Sequence, residues 1–344
     1  MSLAGRVAGV LNRSGILEAL DRMLGAGGIV AYHAVTPEPL LTAIHLSLPA
    51  FRAQAEFLAA HYRVIPLEEF VRRRAAGQSL RGCVALTFDD AYTGVRDLAL
   101  PVLERLGLPA TVFVASAYSA SGKRYWWDRL GWIGLKAEAS VARRLIAQLA
   151  GDPAADQHHI LHAVVGQSRG RLTADFEAQL AAAEQVIDPV PLAALDEPGL
   201  AELARSPLIE FGCHTVSHPA LPYLPVEEQA RELRECTEWL EARLPRVRRF
   251  VAYPYGLYDR TTVEAMRAAG LAAGFSLAGR AATSHFHPFT CPRVGVAEAN
   301  TTTSLRTHLS WAAIPLIALR NREWHPRLPG RGAGRGLSPE PDRT

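Results

Sequence analysis

The stretch Cys83-Val84-Ala85-Leu86-Thr87-Phe88-Asp89-Asp90 is an apolar strand closed by two adjacent carboxylates. Its unbroken apolar character is that of a strand covered on both faces, as in a parallel sheet. A helix follows to about Leu106, where Gly107 stops it, and 110–115 reads as the next strand. Upstream, 27–35 is a short apolar run containing Tyr32-His33 and reads as another buried strand. Residues 49–61 place Phe51, Ala55, Leu58 and Ala59 at helical spacing, with Pro49 near the start. A strand near 62–65 and a helix from about Leu67 come next. Downstream, strand 208–213, helix 226–244, strand 249–253 and helix 260–269 alternate, Gly270 ends the last helix, and strands lie near 272–277 and 293–296. Such alternation predicts a parallel sheet covered by helices, and about seven strands predict closure into a barrel.

Residues 125–205 break this rhythm and read as a helical insertion on the rim, with Trp126-Trp127 at its front as a hydrophobic anchor or a sugar-stacking surface. Residues 2–24 read as an amphipathic lead helix ahead of a catalytic unit spanning 26–312. Residues 320–344, rich in Arg, Pro and Gly, read as a disordered tail.

The whole chain has 344 residues, is 49% hydrophobic and carries a formal charge of +3, which excludes a wholly disordered protein. Its cations are almost all arginine and are scattered, so no nucleic-acid partner is expected. Cys83, Cys213, Cys236 and Cys291 have neither zinc-ribbon nor disulfide-framework spacing and read as buried, reduced thiols. Charges interrupt the N-terminal stretch, so it does not read as a signal peptide. The run 311–319 is about half the ~20 residues that a membrane span needs. A cytoplasmic location is expected, with peripheral membrane contact through an end segment left open.

Four features sit at the C-terminal ends of strands, which converge on one mouth in a parallel barrel. Asp89-Asp90 offers one acid for a metal and one for a proton. His214-Thr215-Val216-Ser217-His218 puts two imidazoles at i and i+4, which in a helical turn share a face and chelate one cation. With Asp90 as third ligand, the set suits one divalent ion, zinc first, then cobalt, nickel or iron, with positions left open for water and substrate. Tyr253-Pro254-Tyr255-Gly256 makes a rigid turn that aims the Tyr255 N–H at the same cavity. His33 ends the first strand in the same manner.

Together these motifs resemble the polysaccharide deacetylase family, carbohydrate esterase family 4, over roughly residues 27–296. The resemblance implies a distorted (β/α)7 barrel and metal-dependent removal of acetyl groups from N-acetylated sugars, in a polysaccharide or in a lipid- or nucleotide-linked precursor. It implies Asp89 as general base, Asp90, His214 and His218 as metal ligands, and the Tyr255 backbone as part of an oxyanion hole. There are departures. Ala91 stands where the family usually has glycine, and Ala252 where it has the arginine that orients the base. Arg293 is the candidate replacement. The chain lacks a Leu-x-His strand near the C-terminus, whereas Tyr32-His33 resembles a branch with that motif moved to the N-terminal side. That makes His33 the general acid, expected to face the metal from the side opposite Asp89 with an acidic neighbour. The other readings are an amidohydrolase acting on a non-carbohydrate amide, and a carbohydrate-binding barrel without turnover.

Overall fold

The computed structural model describes Asp21 and residues 25–40, 44–136, 140–141, 144–145, 147, 173–185, 187–277 and 287–311. The expected lead helix, except Asp21, the tail and much of 137–172 lie outside the described residues.

The strands are β1 (Gly28–Tyr32), β2 (Val35–Thr36), β3 (Leu46–Ser47), β4 (Arg63–Val64), β5 (Cys83–Phe88), β6 (Ala110–Val114), β7 (Ile209–Cys213), β8 (Val247–Ala252), β9 (Ala273–Ser276), β10 (Cys291–Pro292) and β11 (Val294–Gly295). All pairings in the main sheet are parallel, in the order β10-β9-β8-β7-β6-β5-β1-β11. β4 adds to the start of β5, and β2 with β3 forms a separate parallel pair.

The sheet closes through one broken strand. β10 pairs with β9 and β11 pairs with β1, and only Arg293 stands between them. The Arg293 N–H still donates to the Ser276 carbonyl at 3.1 Å, and the Val296 N–H to the Ala31 carbonyl at 3.0 Å. Counting 291–295 as one staggered strand gives a seven-membered parallel ring, a distorted (β/α)7 barrel. The sequence pattern marks the seventh strand near 293–296; the structure starts it two residues earlier and breaks it at the arginine.

Side-chain alternation along the strands builds two layers. Ile29, Ala85, Phe113, Phe250, Ala252 and Phe275 form one cluster that continues to Leu67 and Phe70. Val30, Val84, Leu86, Val112 and Val251 belong to the other, packed with the helices Leu48–His61 and Val226–Glu241. In β5 the parity of Cys83 and Ala85 carries on to Thr87 and then Asp89, so the strand's last polar groups sit above the first cluster.

Between β6 and β7 lie the helices Ser116–Ser121, Trp126–Lys136, Ala174–Glu184 and Glu197–Leu203. Trp126, Leu130, Ile133, Phe176 and Leu180 form a cluster of their own, so Trp126 is an internal anchor of this segment. Trp127 is half-buried and packs against both this cluster and the barrel's. Among the described residues, no helix is long and apolar enough to cross a membrane.

Candidate metal and catalytic site

Asp89 and Asp90 serve one site because the backbone turns between them. The Asp89 N–H still extends the sheet, donating to the Tyr32 carbonyl at 2.9 Å. Asp90 then takes φ 69° and Ala91 φ 47°. In an extended strand, successive side chains point to opposite faces; the left-handed step at Asp90 brings its carboxylate to the side of the imidazoles.

Asp90 Oδ1 lies 3.5 Å from His214 Nε2 and 3.6 Å from His218 Nε2. These three residues form the one group able to share a metal among the described residues. Two ligand atoms ~2.1 Å from a tetrahedrally coordinated ion stand ~3.4 Å apart, so the spacing suits a shared cation. The polar bookkeeping agrees. Asp90 Oδ1 is buried with no hydrogen-bond partner. His214 Nδ1 is 2.7 Å from the Ala252 carbonyl, which fixes Nδ1 as donor and leaves the Nε2 lone pair facing Asp90. Burial lowers the pKa of both histidines, so each presents a neutral imidazole, the ligating form. Burial first, then the charges of Asp89 and Asp128, push Asp90 well above the usual carboxylate range. A dication would offset that penalty. The residues present therefore fit a divalent metal.

The two histidines do not share a helical turn, contrary to the i,i+4 expectation. Residues 214–218 form a bend, with φ 69° at Thr215 and 56° at His218. The His218 N–H donates to Thr215 Oγ1 at 3.0 Å. Glu232, buried on the helix Val226–Glu241, accepts from the Val216 and Ser217 N–H groups at 2.9 and 2.8 Å and from the Ser217 hydroxyl at 2.6 Å. The loop is thus shaped by a carboxylate behind it. Glu232 had a sequence signal, an acid on the helix face that also carries Gln229, Leu233, Cys236 and Leu240.

Asp89 has different surroundings. Arg293, fully buried, forks onto it with Nη1 to Oδ1 and Nη2 to Oδ2, both 2.7 Å. Nη1 also donates to Thr87 Oγ1 at 3.0 Å, and the guanidinium lies 5.4 Å over the Phe113 ring. Burial alone would raise the Asp89 pKa, but Arg293, then His214, outweighs it and holds the carboxyl well below its usual range. Arg293 thus meets Asp89, while Ala252, where the family has its arginine, is a fully buried residue of the first cluster.

His33 Nε2 is 3.8 Å from Asp89 Oδ2. The expected position opposite Asp89 is therefore wrong, and the acidic neighbour is Asp89 itself. Burial lowers the His33 pKa to about 4, against the pull of Asp89. A resting imidazole charged near neutrality is not what this pocket gives.

Tyr255 lies in a tight turn over Pro254–Gly256 with φ 58°, and its ring stands edge-on to His218 at 4.7 Å. Gly256 at φ 69° is required there, since a Cβ would come within 2.7 Å of the Leu277 nitrogen. The Trp127 ring lies 4.9 Å from that of His218. Sequence reasoning missed the group behind it. The Trp127 indole donates to the Tyr92 hydroxyl at 3.0 Å, Tyr92 donates to Asp128 Oδ2 at 2.7 Å, and His45 Nε2 lies 2.9 Å from Asp128 Oδ1. Asp128 belongs to the helix Trp126–Lys136, His45 precedes β3 and Tyr92 follows β5, and no spacing in the chain links them.

Comparisons with known proteins bear on the family and the fold. The family described as Polysaccharide deacetylase matches residues 76–274. A poly-beta-1,6-N-acetyl-D-glucosamine N-deacetylase of Staphylococcus epidermidis is 22% identical over 256 residues, 72% of this chain and 66% of that relative, so the match spans slightly less than two thirds of the relative's length. The Ammonifex degensii IcaB structure superposes with TM-score 0.56 at 20% identity, covering 84% of this chain and 97% of that one. The Streptococcus pyogenes deacetylase PplD, solved with acetate, gives TM-score 0.55 at 16% identity over 83% and 98%. These likenesses concern the fold, and the family match spans more than half of the chain: it belongs to the polysaccharide deacetylase family.

Proposed function

We propose that this chain is a metal-dependent N-deacetylase that hydrolyses the acetamido group of an N-acetylhexosamine polymer or of its lipid- or nucleotide-linked precursor. The observation that carries this reading is the split between adjacent acids: Asp89 is forked by a guanidinium, whereas Asp90 leaves a buried oxygen unpaired beside two neutral imidazoles. A cation held by Asp90, His214 and His218, zinc first among the candidates, would polarise the amide carbonyl and acidify a water.

Asp89, kept ionised and fixed in direction by Arg293, takes the proton of the attacking water. His33, neutral at rest with Nε2 3.8 Å from Asp89 Oδ2, is too far for direct transfer; it receives that proton through one bridging water and delivers it to the leaving nitrogen. This order suits a histidine whose pKa burial has lowered. The Tyr255 backbone N–H, on its left-handed turn, opposes charge on the oxyanion. The rings of Trp127 and Tyr255 pack against His218 and flank that side of the site.

Arg293 beside Asp89 also removes the main ground for a barrel without turnover, the missing arginine at Ala252. The four cysteines are buried and form no disulfide among the described residues, which supports a reducing, cytoplasmic setting. The test is acetate release from N-acetylglucosamine oligomers and from lipid- and nucleotide-linked N-acetyl sugars, before chelation, after it, and after re-addition of zinc. Release that stops with chelation and returns with the ion is expected. Release indifferent to the chelator overturns the reading.

A further inference from the structure

The turn after β5 holds two consecutive non-glycine residues at positive φ, Asp90 and Ala91. That region crowds any Cβ. Asp tolerates it better than most residues, and Ala has no side-chain hydrogen bond to offset it. Such a conformation persists only where its surroundings impose it. Here the imposing groups come from the segment between β6 and β7. The Tyr125 hydroxyl donates to the Asp90 carbonyl at 2.8 Å. The Leu195 N–H donates to the Ala91 carbonyl at 2.8 Å, and the Thr93 N–H to the Ala193 carbonyl at 3.0 Å. Tyr125 is fully buried, and its ring is stacked between Tyr118 at 4.2 Å and Trp127 at 4.6 Å, so the hydroxyl is held in direction.

We propose that Tyr125 is a positioning residue that clamps the Asp90-Ala91 turn in its left-handed form, so that the segment between β6 and β7 sets the metal affinity of the barrel. The inference rests on the metal site proposed above. It assigns that segment a task in the chemistry besides covering the rim. It also explains how alanine serves where the family usually has glycine: the clamp supplies from outside what glycine supplies by lacking a Cβ.

Tyr125→Phe keeps the ring stack and removes only the hydroxyl. Zinc affinity of the full-length chain, measured by competition with a chromogenic chelator, should fall by about 10-fold, the low end for loss of a group supporting a ligand. Adding Ala91→Gly to that variant should recover most of the loss, because glycine adopts the turn unaided. A Tyr125→Phe chain that binds zinc as tightly as wild type overturns the proposal, whatever happens to its melting temperature. A loss that Ala91→Gly leaves in place overturns it as well. A wild-type chain that binds no zinc would instead bring down the metal reading on which the proposal stands.

Discussion

The two sides of the site set neighbouring aspartates in opposite electrostatic states. On the side of the broken strand, Asp89 meets Arg293 and His33, and its carboxyl is held far below its ordinary range. On the β7 side, Asp90 meets two neutral imidazoles and the negative charge of Asp89, and its carboxyl is pushed far above it. Both are equally buried, at 1% and 2% exposure. Desolvation therefore cannot be what separates them. The difference lies in the partner: a permanent cation of the chain on one side, a place for a dissociable cation on the other. The first acid stays ionised, and so able to accept a proton, without a metal; the second needs a cation beside it to ionise.

The sharpest way to break this contrast is to remove the resident cation. Arg293→Met leaves Asp89 buried and uncompensated, and should cost about 3–5 kcal/mol of stability by denaturant unfolding at neutral pH. The sign with pH follows from linkage. A carboxyl whose folded pKa lies below its unfolded one stabilises fully above ~4, and loses that contribution as pH falls through the folded value. The gap between wild type and Arg293→Met should accordingly narrow in strong acid. In surviving activity, the acidic limb of the pH–rate profile should move to higher pH. An unchanged limb would leave Arg293 with a structural role alone.

Next in size is His33→Ala, expected to lose roughly 10²-fold in turnover on an acetamide and much less on an activated ester, whose leaving group needs no proton. Metal affinity should be unchanged. Since the His33 pKa is lowered to about 4, the unfolded chain binds the extra proton between there and ~6.5. Stability should thus decline across that interval as pH falls, and the variant should flatten the slope. Equal losses on amide and ester would take His33 out of the acid role.

A smaller effect sharpens the other side. Glu232→Gln keeps the shape of the side chain but turns a donor toward groups that need an acceptor, so about 1–3 kcal/mol of stability should go with it. Metal affinity should fall by about 10-fold, while the Asp89 pair stays intact. Unfolding curves and metal titration read the two effects separately. Unaltered metal affinity would show that the 214–218 loop holds its form without Glu232.

Much of the barrel was legible in the sequence, because strands buried on both faces read as apolar runs and glycines end two of the helices, Leu100–Leu106 at Gly107 and Arg260–Ala268 near Gly270. The closing strand was half legible, since Arg293 interrupts it and pattern alone gives no reason to place a cation inside a barrel. Contacts link the seven expected site residues into one cluster, yet the local form of 214–218 was misread. Positive φ at Thr215 and His218 leaves no trace in residue spacing. His33 beside Asp89 follows from β1 pairing with β5, Tyr32 against Phe88. That register could have been weighed from the strand ends. The Tyr92, Asp128 and His45 group was out of reach, because three unrelated segments supply it.

The most direct test of the split between Asp89 and Asp90 is metal stoichiometry in the two matched variants, Asp89→Asn and Asp90→Asn, by elemental analysis after chelation, reloading with zinc and desalting. The predicted result is about one ion per chain in Asp89→Asn, as in the wild type, and little in Asp90→Asn. Equal loss in both variants, or full loading of both, would contradict the division of roles.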